Sequence, residues 1–356
     1  MVVYWGACLS SILFTWVATH ITHRRCKNDF LYWFLITFFS AFPLIFISAI
    51  RYNVGADYTA YYKYYIEITE GGGRGRFESL YYLLNKVVAF LGGSAPWLFG
   101  LAAVLFLLPV YRTILRDSPY PCLSVFLLVG TTLFFYFLNG TRQMIGTAFL
   151  FLSIPFLEKN KFVPFTILIL IASGFHTMCL VFLAVYFLIC LRFTPKILVG
   201  ITAVIFLSDE LLSRIAAEII GRMSYYSDYL ETSFNEKGRG YIVLCIDIVL
   251  VVFSTIYYQK GNDKFRVYYN LQVLALWASA LTGKIVLVER FRLSFSMASI
   301  ILLPMTIKGI KDKKTRRIIA IIVFAMYFLY ATYTVGVQNS NLVLPYQTIF
   351  NTEVGV

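Results

Sequence analysis

The chain alternates long apolar runs with short polar clusters, and the clusters carry most of its charge. One crossing of a bilayer needs about 20 apolar residues. Twelve segments approach that length, at roughly 2–19, 30–50, 95–111, 120–138, 142–157, 162–175, 177–191, 196–208, 241–258, 267–286, 291–307 and 318–336. The expected fold is an all-α polytopic membrane protein with about 12 transmembrane helices. The four segments between 142 and 208 are short, and polar breaks fall at Asn139 to Gln143 and at Gly174 to His176. Interrupted helices at membrane depth are tolerated where they line a protein-buried or watery cavity, so short or re-entrant elements around a cavity are expected there. The first segment lacks a basic leader and a small-residue cleavage site, and reads as a retained membrane helix.

If the helices alternate in direction, the connections 20–29, 112–119, 158–161, 192–196, 259–266 and 308–317 share one face. They hold 18 of the 31 Lys and Arg and 5 of the 18 acids, leaving 13 of each elsewhere. The whole formal surplus of +13 then lies on one side, which the positive-inside rule makes cytoplasmic. Both termini face outward, as do two longer connections, 51–94 and 209–240, rich in Tyr and charge. These are the natural places for a substrate-handling lid. No linker, repeat or low-complexity tract divides the chain, so 1–356 is read as a single domain.

Composition agrees and narrows the function. With 59% hydrophobic and 14% charged residues and a mean hydropathy of +0.74, the chain is far more apolar than a soluble domain. On a soluble protein a +13 surplus would suggest nucleic acid, but here its placement between apolar segments assigns it to topology, and nucleic acid is excluded as a partner. The 18% aromatic content suits interface anchors and the walls of an internal cavity. Six cysteines show no CxxC spacing and the three histidines form no HExxH, so no disulfide, metal site or cofactor is assigned.

Four polar islands on the outer side carry candidate chemistry. Directly after the second segment comes Arg51-Tyr52-Asn53-Val54-Gly55-Ala56-Asp57-Tyr58, followed by Tyr61. An Arg at a span exit, a turn-forming Gly and an Asp six residues on can fold as an ionic loop dipping into the membrane face. The alternative is an Arg that snorkels to headgroups beside an ordinary turn. The second island is Asn139-Gly140-Thr141-Arg142-Gln143. A guanidinium at a helix N-terminus opposes the dipole unless an anion binds there, which makes Arg142 a candidate phosphate ligand.

Phe175-His176 forms the third island, its imidazole able to act as a base, to donate to phosphate, or to serve as a hydrogen-bonded structural group. The fourth is Glu289-Arg290-Phe291-Arg292, placed at the outer end of the eleventh segment near Lys284, where Glu289 is also a local ion-pair partner. Guanidinium forks fit phosphate bidentately and stay charged when dehydrated. Arg51, Arg142, Arg290 and Arg292 together would suit a pyrophosphate in the outer leaflet.

At these residues the chain resembles the EpsG family of membrane proteins, which groups with Wzy-type polysaccharide polymerases. The matching elements are Arg51, Gly55, Asp57, Tyr58 and Tyr61, then Asn139, Arg142 and Gln143, then Phe175-His176, Arg290-Phe291 and the late Pro345-Tyr346. The order spans almost the full length, while 209–240 matches nothing and leaves sugar specificity open. The resemblance implies a fold related to membrane glycosyltransferases of the GT-C type, a role in exopolysaccharide, capsule or O-antigen synthesis, and undecaprenyl-pyrophosphate-linked glycans as donor and acceptor. It places the protein in the bacterial cytoplasmic (inner) membrane, with a chain-length regulator as a partner that no residue here names.

The expected reaction transfers a growing glycan from its carrier diphosphate to the terminal sugar hydroxyl of another lipid-linked unit. Arg142 and Arg290, supported by Arg51 and Arg292, would stabilise the leaving diphosphate without a metal. Base candidates on the outer face are Asp57, His176 and Glu78; the analogy with an acid in an early outer loop of GT-C enzymes favours Asp57, with His176 next. Tyr58, Tyr61 and Tyr65 are candidates to stack on sugar rings or to form an interface belt, and Asn139, Gln143 and Tyr346 complete the substrate-binding set. Two rivals remain: a polysaccharide ligase, which shares the donor but not the acceptor, and a flippase or transporter, for which Asp247 within the ninth segment is the acidic candidate.

Overall fold

A computed structural model describes residues 1–21, 30–75, 77–189, 193–208, 241–282 and 286–350, with isolated positions at 191, 210, 211, 214, 215 and 218. Arg24, Arg25, Lys27, Arg192, Lys284 and most of the 209–240 connection lie outside the described residues. Within them the protein is all-helical, with one isolated antiparallel bridge between Arg51 and Thr348 and no strand.

Two compact units form, one from 1–186 with 311–356 and the other from 187–310. The first contains α1 (Val2–Ile21), α2 (Phe30–Ala49), α3 (Tyr58–Thr69), α4 (Ser79–Phe90), α5 (Ala95–Asp117), α6 (Pro121–Gly130), α7 (Leu133–Asn139), α8 (Thr141–Glu158) and α9 (Phe162–Phe175). A 3-10 turn (Thr177–Val181) leads into α10 (Phe182–Ile189), within which the chain passes to the second unit. That unit holds α11 (Pro195–Leu207), α12 (Tyr241–Ile256), α13 (Asp263–Thr282), α14 (Val286–Ser296) and α15 (Ser299–Gly309). The chain then returns to the first unit with α16 (Lys313–Ala331), a π-helical turn (Thr332–Val337) and an extended tail.

Among the described residues, four helices are long and apolar enough to cross a membrane: Val2–His20, Phe30–Ala49, Ala95–Asp117 and Lys313–Val337. Two bent pairs raise this to six, α6 with α7 at 53° and the later part of α14 with α15 at 43°. Of the shorter apolar helices among the described residues, Phe162–Phe175, Thr177–Leu188 and Lys196–Leu207 fall where short segments were expected, while Tyr241–Ile256 does not, and the segment at 142–157 forms an 18-residue helix. A 14-residue helix such as α9 covers only about 21 Å, less than the ~30 Å hydrocarbon layer. The α6–α7 bend falls at Thr132, whose φ of 65° is left-handed and ends the α-helical ladder. The eleventh segment starts earlier than its hydropathy suggests, so Arg290 and Arg292 lie in the first turns of the helical pair that makes it up.

Helix starts carry their expected signals. Pro121 and Pro195 open α6 and α11 at the first turn, where the missing N–H costs nothing. Asp312 caps α16 by accepting from the Lys314 and Thr315 amides at 3.4 and 2.7 Å. In the first unit α1 packs on α2 and α6, α2 on α5, α5 on α8, and α8 on α9. Ser11 of α1 donates to the Ser40 carbonyl at 2.5 Å and also bonds the Tyr111 hydroxyl, which satisfies polar atoms buried among apolar helices. Phe106 stacks on Phe137 at 4.5 Å, joining α5 to the bent pair.

In the connection 51–94, α3 and α4 form a helical hairpin. Its entry loop is laced to the C-terminal tail. The Tyr52 amide donates to the Gln347 carbonyl at 2.9 Å, the Gly55 amide to the Leu342 carbonyl at 2.9 Å and the Ile349 amide to the Ile50 carbonyl at 3.0 Å. Tyr4 near the N-terminus donates to the Val343 carbonyl at 2.9 Å. The N-terminus, the 51–57 loop, the end of α7 and the tail therefore share one end of this unit.

Candidate functional site

Alternating helix directions return several polar islands to that same end. The chain leaves α9 at Phe175, and His176 takes an extended conformation (φ −154°, ψ 114°) before the 3-10 turn begins. This kink points the imidazole back at Glu78, the N-cap position of α4. Nδ1 of His176 lies 2.9 Å from Oε1 of Glu78, and the Thr177 amide donates to the same oxygen at 3.2 Å. The other carboxylate oxygen, Oε2, pairs with Nη1 of Arg142 from the first turn of α8. α4 packs on α9 and α9 on α8, so three helices bring an acid, an imidazole and a guanidinium to one point.

The cluster is dry but not sealed. His176 is 4% exposed, and the Glu78 and Arg142 side chains are 11% and 19% exposed. Burial alone would raise the Glu78 carboxyl, but the hydrogen bond from His176 and the Arg142 charge outweigh it and hold it at about 2. The Arg142 guanidinium lies over the Phe77 ring at 4.7 Å and the Tyr81 ring at 5.9 Å, and shares a hydrogen bond with Tyr61. The anion that a guanidinium at a helix N-terminus calls for is thus supplied by the chain itself, through Glu78.

Chemically, a carboxylate accepting from Nδ1 fixes the neutral imidazole in the tautomer whose basic nitrogen is Nε2. It also stabilises the imidazolium formed when Nε2 takes a proton. Glu78 and His176, weighed from sequence as separate base candidates, form a single dyad. Asp57, the third candidate, is exposed at the N-cap position of α3, with no side-chain capping bond.

Arg51 sits differently. It is 1% exposed, and Nη1 donates to the Leu138 carbonyl at 2.6 Å and the Val54 carbonyl at 3.3 Å. The guanidinium lies over Phe99 at 4.8 Å and Tyr58 at 5.8 Å. Burial lowers it to about 10, which leaves it charged at neutral pH. A cation on the terminal carbonyls of α7 complements that helix's dipole. Arg51 and Arg142 are nonetheless near neighbours, since both charges act on the buried Tyr61 and Tyr81 phenols.

The remaining first-unit candidates hold the loops together. Oδ1 of Asn139 accepts from the Ala56 amide at 2.8 Å, and its Nδ2 donates to the Asn341 carbonyl at 2.9 Å. Gly55, at φ 102°, is pressed so close that an added Cβ would lie 2.6 Å from Asn139 Oδ1. Gln143 is half-buried in the first turn of α8. Tyr346 donates to the Ile47 carbonyl at 2.8 Å and meets Tyr4 edge-on at 5.4 Å. Tyr58, Tyr61 and Tyr65, read from sequence as sugar platforms or an interface belt, are buried against the protein: Tyr58 on Phe99 at 4.9 Å, Tyr61 by Tyr81 at 5.6 Å, and Tyr65 donating to the Gly93 carbonyl at 2.5 Å.

In the second unit, Arg292 is buried and forms a two-bond fork with Glu289 at 2.7 and 2.5 Å, while its Nη1 lies 3.9 Å from Asp247. Asp247 also accepts from Gln272 at 2.8 Å and from Ser279. Arg290 is half-buried on α14.

Phe77 and Tyr81, the aromatic bed of Arg142, escaped the sequence reading. Their signal was a pair of rings flanking Glu78 at a spacing of one helical turn.

No curated protein and no solved structure matches the chain. A family model described as the EpsG family matches residues 34–348, a stretch that contains every island described above, and the chain belongs to that family.

Proposed function

We propose that this protein polymerises undecaprenyl-pyrophosphate-linked oligosaccharide repeat units, transferring the growing glycan to the terminal sugar of an incoming lipid-linked unit. Membership of the EpsG family supports a polysaccharide-polymerase type of membrane protein. The observation that carries the chemistry is the Glu78–His176–Arg142 cluster. The reading includes a single twelve-span, GT-C-like domain in the bacterial cytoplasmic membrane, with the cluster facing the periplasm or cell exterior and a chain-length regulator as partner.

In this mechanism the acceptor hydroxyl attacks the anomeric carbon of the donor sugar and its proton passes to Nε2 of His176. The new glycosidic bond forms as the bond to the diphosphate oxygen breaks. Glu78 orients the imidazole and balances its charge. Arg142 faces the negative charge growing on the diphosphate, with Arg51 of the same unit in support, and a fixed cation in a dry site acts most strongly at the transition state. Asp57 is the rival base, and Tyr58, Tyr61, Asn139, Gln143 and Tyr346 shape the surroundings.

The test is incubation of the purified protein with a lipid-linked repeat unit. A ladder of polymer with wild type and none with His176→Ala supports the reading, and a ladder of unchanged intensity with His176→Ala removes the cluster from the chemistry. Deletion phenotypes separate the rivals: a lost polymerase leaves single repeat units attached, a lost ligase leaves long chains on the carrier, and a lost transporter leaves repeat units on the inner leaflet.

A further inference from the structure

Arg112 lies inside the apolar helix α5, five residues before its end at Asp117. A guanidinium toward the end of an apolar helix calls for an anion, and basic pockets between such helices mark lipid-binding sites. The acid next along the helix, Asp117, is gripped by Arg116 through both carboxylate oxygens at 2.9 and 2.6 Å, so its charge is shared. Arg112 instead lies over the Trp33 indole, 4.8 Å from the ring centroid. That contact covers one face of the guanidinium, and among the described residues none accepts a hydrogen bond from its in-plane N–H donors, although the Asp117 charge acts on it from a distance.

Beside Arg112 opens a cavity of 480 Å³, lined by Trp33, Phe34 and Thr37 of α2, Leu108 and Pro109 of α5 and Leu152 of α8. Its size falls in the range of small-molecule sites, about 300–1,000 Å³. The walls are apolar apart from Thr37 and the Arg112 head. Along α5, Arg112 is 17 residues from Ala95, about 25 Å, so the cavity lies at the end of the unit away from the Glu78 cluster. That is the end where the basic connections fall, and basic pockets between membrane helices on that side recognise anionic lipid headgroups.

We propose that this groove binds an anionic phospholipid of the leaflet on the basic side. The phosphate sits on the Arg112 fork, one acyl chain lies along Phe34, Leu108 and Leu152, and Trp33 anchors the boundary between them. A carrier lipid whose diphosphate sits at the Glu78 end would reach this groove only with its apolar tail and leave the guanidinium without an anion, and a zwitterionic lipid would bring a cation to it.

Thermal unfolding of the full chain in mixed micelles tests this, with phosphatidylglycerol as probe and phosphatidylcholine as control. Phosphatidylglycerol should raise the Tm of wild type by several degrees and phosphatidylcholine should not. Arg112→Gln should abolish the shift, and so should Leu108→Trp, which keeps the charge and fills the groove. Lys159→Gln, which removes an exposed basic residue outside the groove, should retain it. The proposal is overturned if phosphatidylcholine matches phosphatidylglycerol, if Arg112→Gln and Leu108→Trp keep the full shift, or if polyprenyl phosphate stabilises the protein where phosphatidylglycerol does not.

Discussion

Nδ1 of His176 lies 2.9 Å from Oε1 of Glu78 although 98 residues separate them in the chain. This contact turns two weak sequence candidates into one chemical unit. Glu78→Gln and His176→Ala are each expected to slow polymer formation by about 100-fold or more, and the double variant should be little worse than either. Initial rates of ladder formation by purified variants at matched amounts measure this. Losses that multiply would mean that the two residues act separately.

Arg142→Lys keeps the charge but loses the planar fork and the stacking on Phe77 and Tyr81. Activity should fall at least about tenfold, because lysine reproduces neither feature. The same kinetic assay, at several concentrations of lipid-linked substrate, shows whether the loss lies in kcat, as a transition-state role requires.

The Glu78 carboxyl titrates at about 2 in the folded protein, below its ordinary 4.5. A depressed acid stabilises the fold fully above the unfolded value, and loses that contribution as pH falls toward the folded value. Wild type should therefore exceed Glu78→Gln in Tm at pH 5 by a margin worth about 1–3 kcal/mol that narrows as pH falls below about 4.5. Thermal unfolding in detergent from pH 5 downward checks it, and a margin that holds unchanged to pH 3 contradicts the depressed carboxylate.

Arg51→Gln withdraws the donor from the buried Leu138 carbonyl and should destabilise the fold by about 1–3 kcal/mol. If the residue is a clamp alone, the folded remainder keeps its KM for the lipid-linked unit. A raised KM would put Arg51 on the diphosphate.

Gly55→Ala forces a left-handed φ of 102° on a residue with a Cβ and drives that atom against Asn139. A Tm loss corresponding to at least about 1–2 kcal/mol is expected. Wild-type stability in this variant would show that the loop can shift away from Asn139.

Much of the fold was legible because hydropathy is a local sum. The runs at 2–19 and 30–50 reappear as α1 and α2 within two residues, and the polar breaks at 139–143 and 174–176 reappear as helix boundaries. The hairpin of α3 and α4 was not legible. Each helix has only 12 residues, and their Tyr-rich faces are buried by one another and by α5 and α9. The bend at Thr132 was not legible either, since only Gly130 and two threonines interrupt an otherwise unbroken apolar run there.

By itself the sequence determined that the chain lives in a bilayer, which residues can carry chemistry, and where polar breaks interrupt the apolar runs. Each of those follows from side-chain composition over short stretches. Only the tertiary structure decided that Glu78 holds both His176 and Arg142, and that Arg51 turns inward onto the Leu138 carbonyl. Partners 64 and 98 residues apart are chosen by which helices pack together, and that choice depends on the shapes of buried faces, which no single stretch of sequence contains.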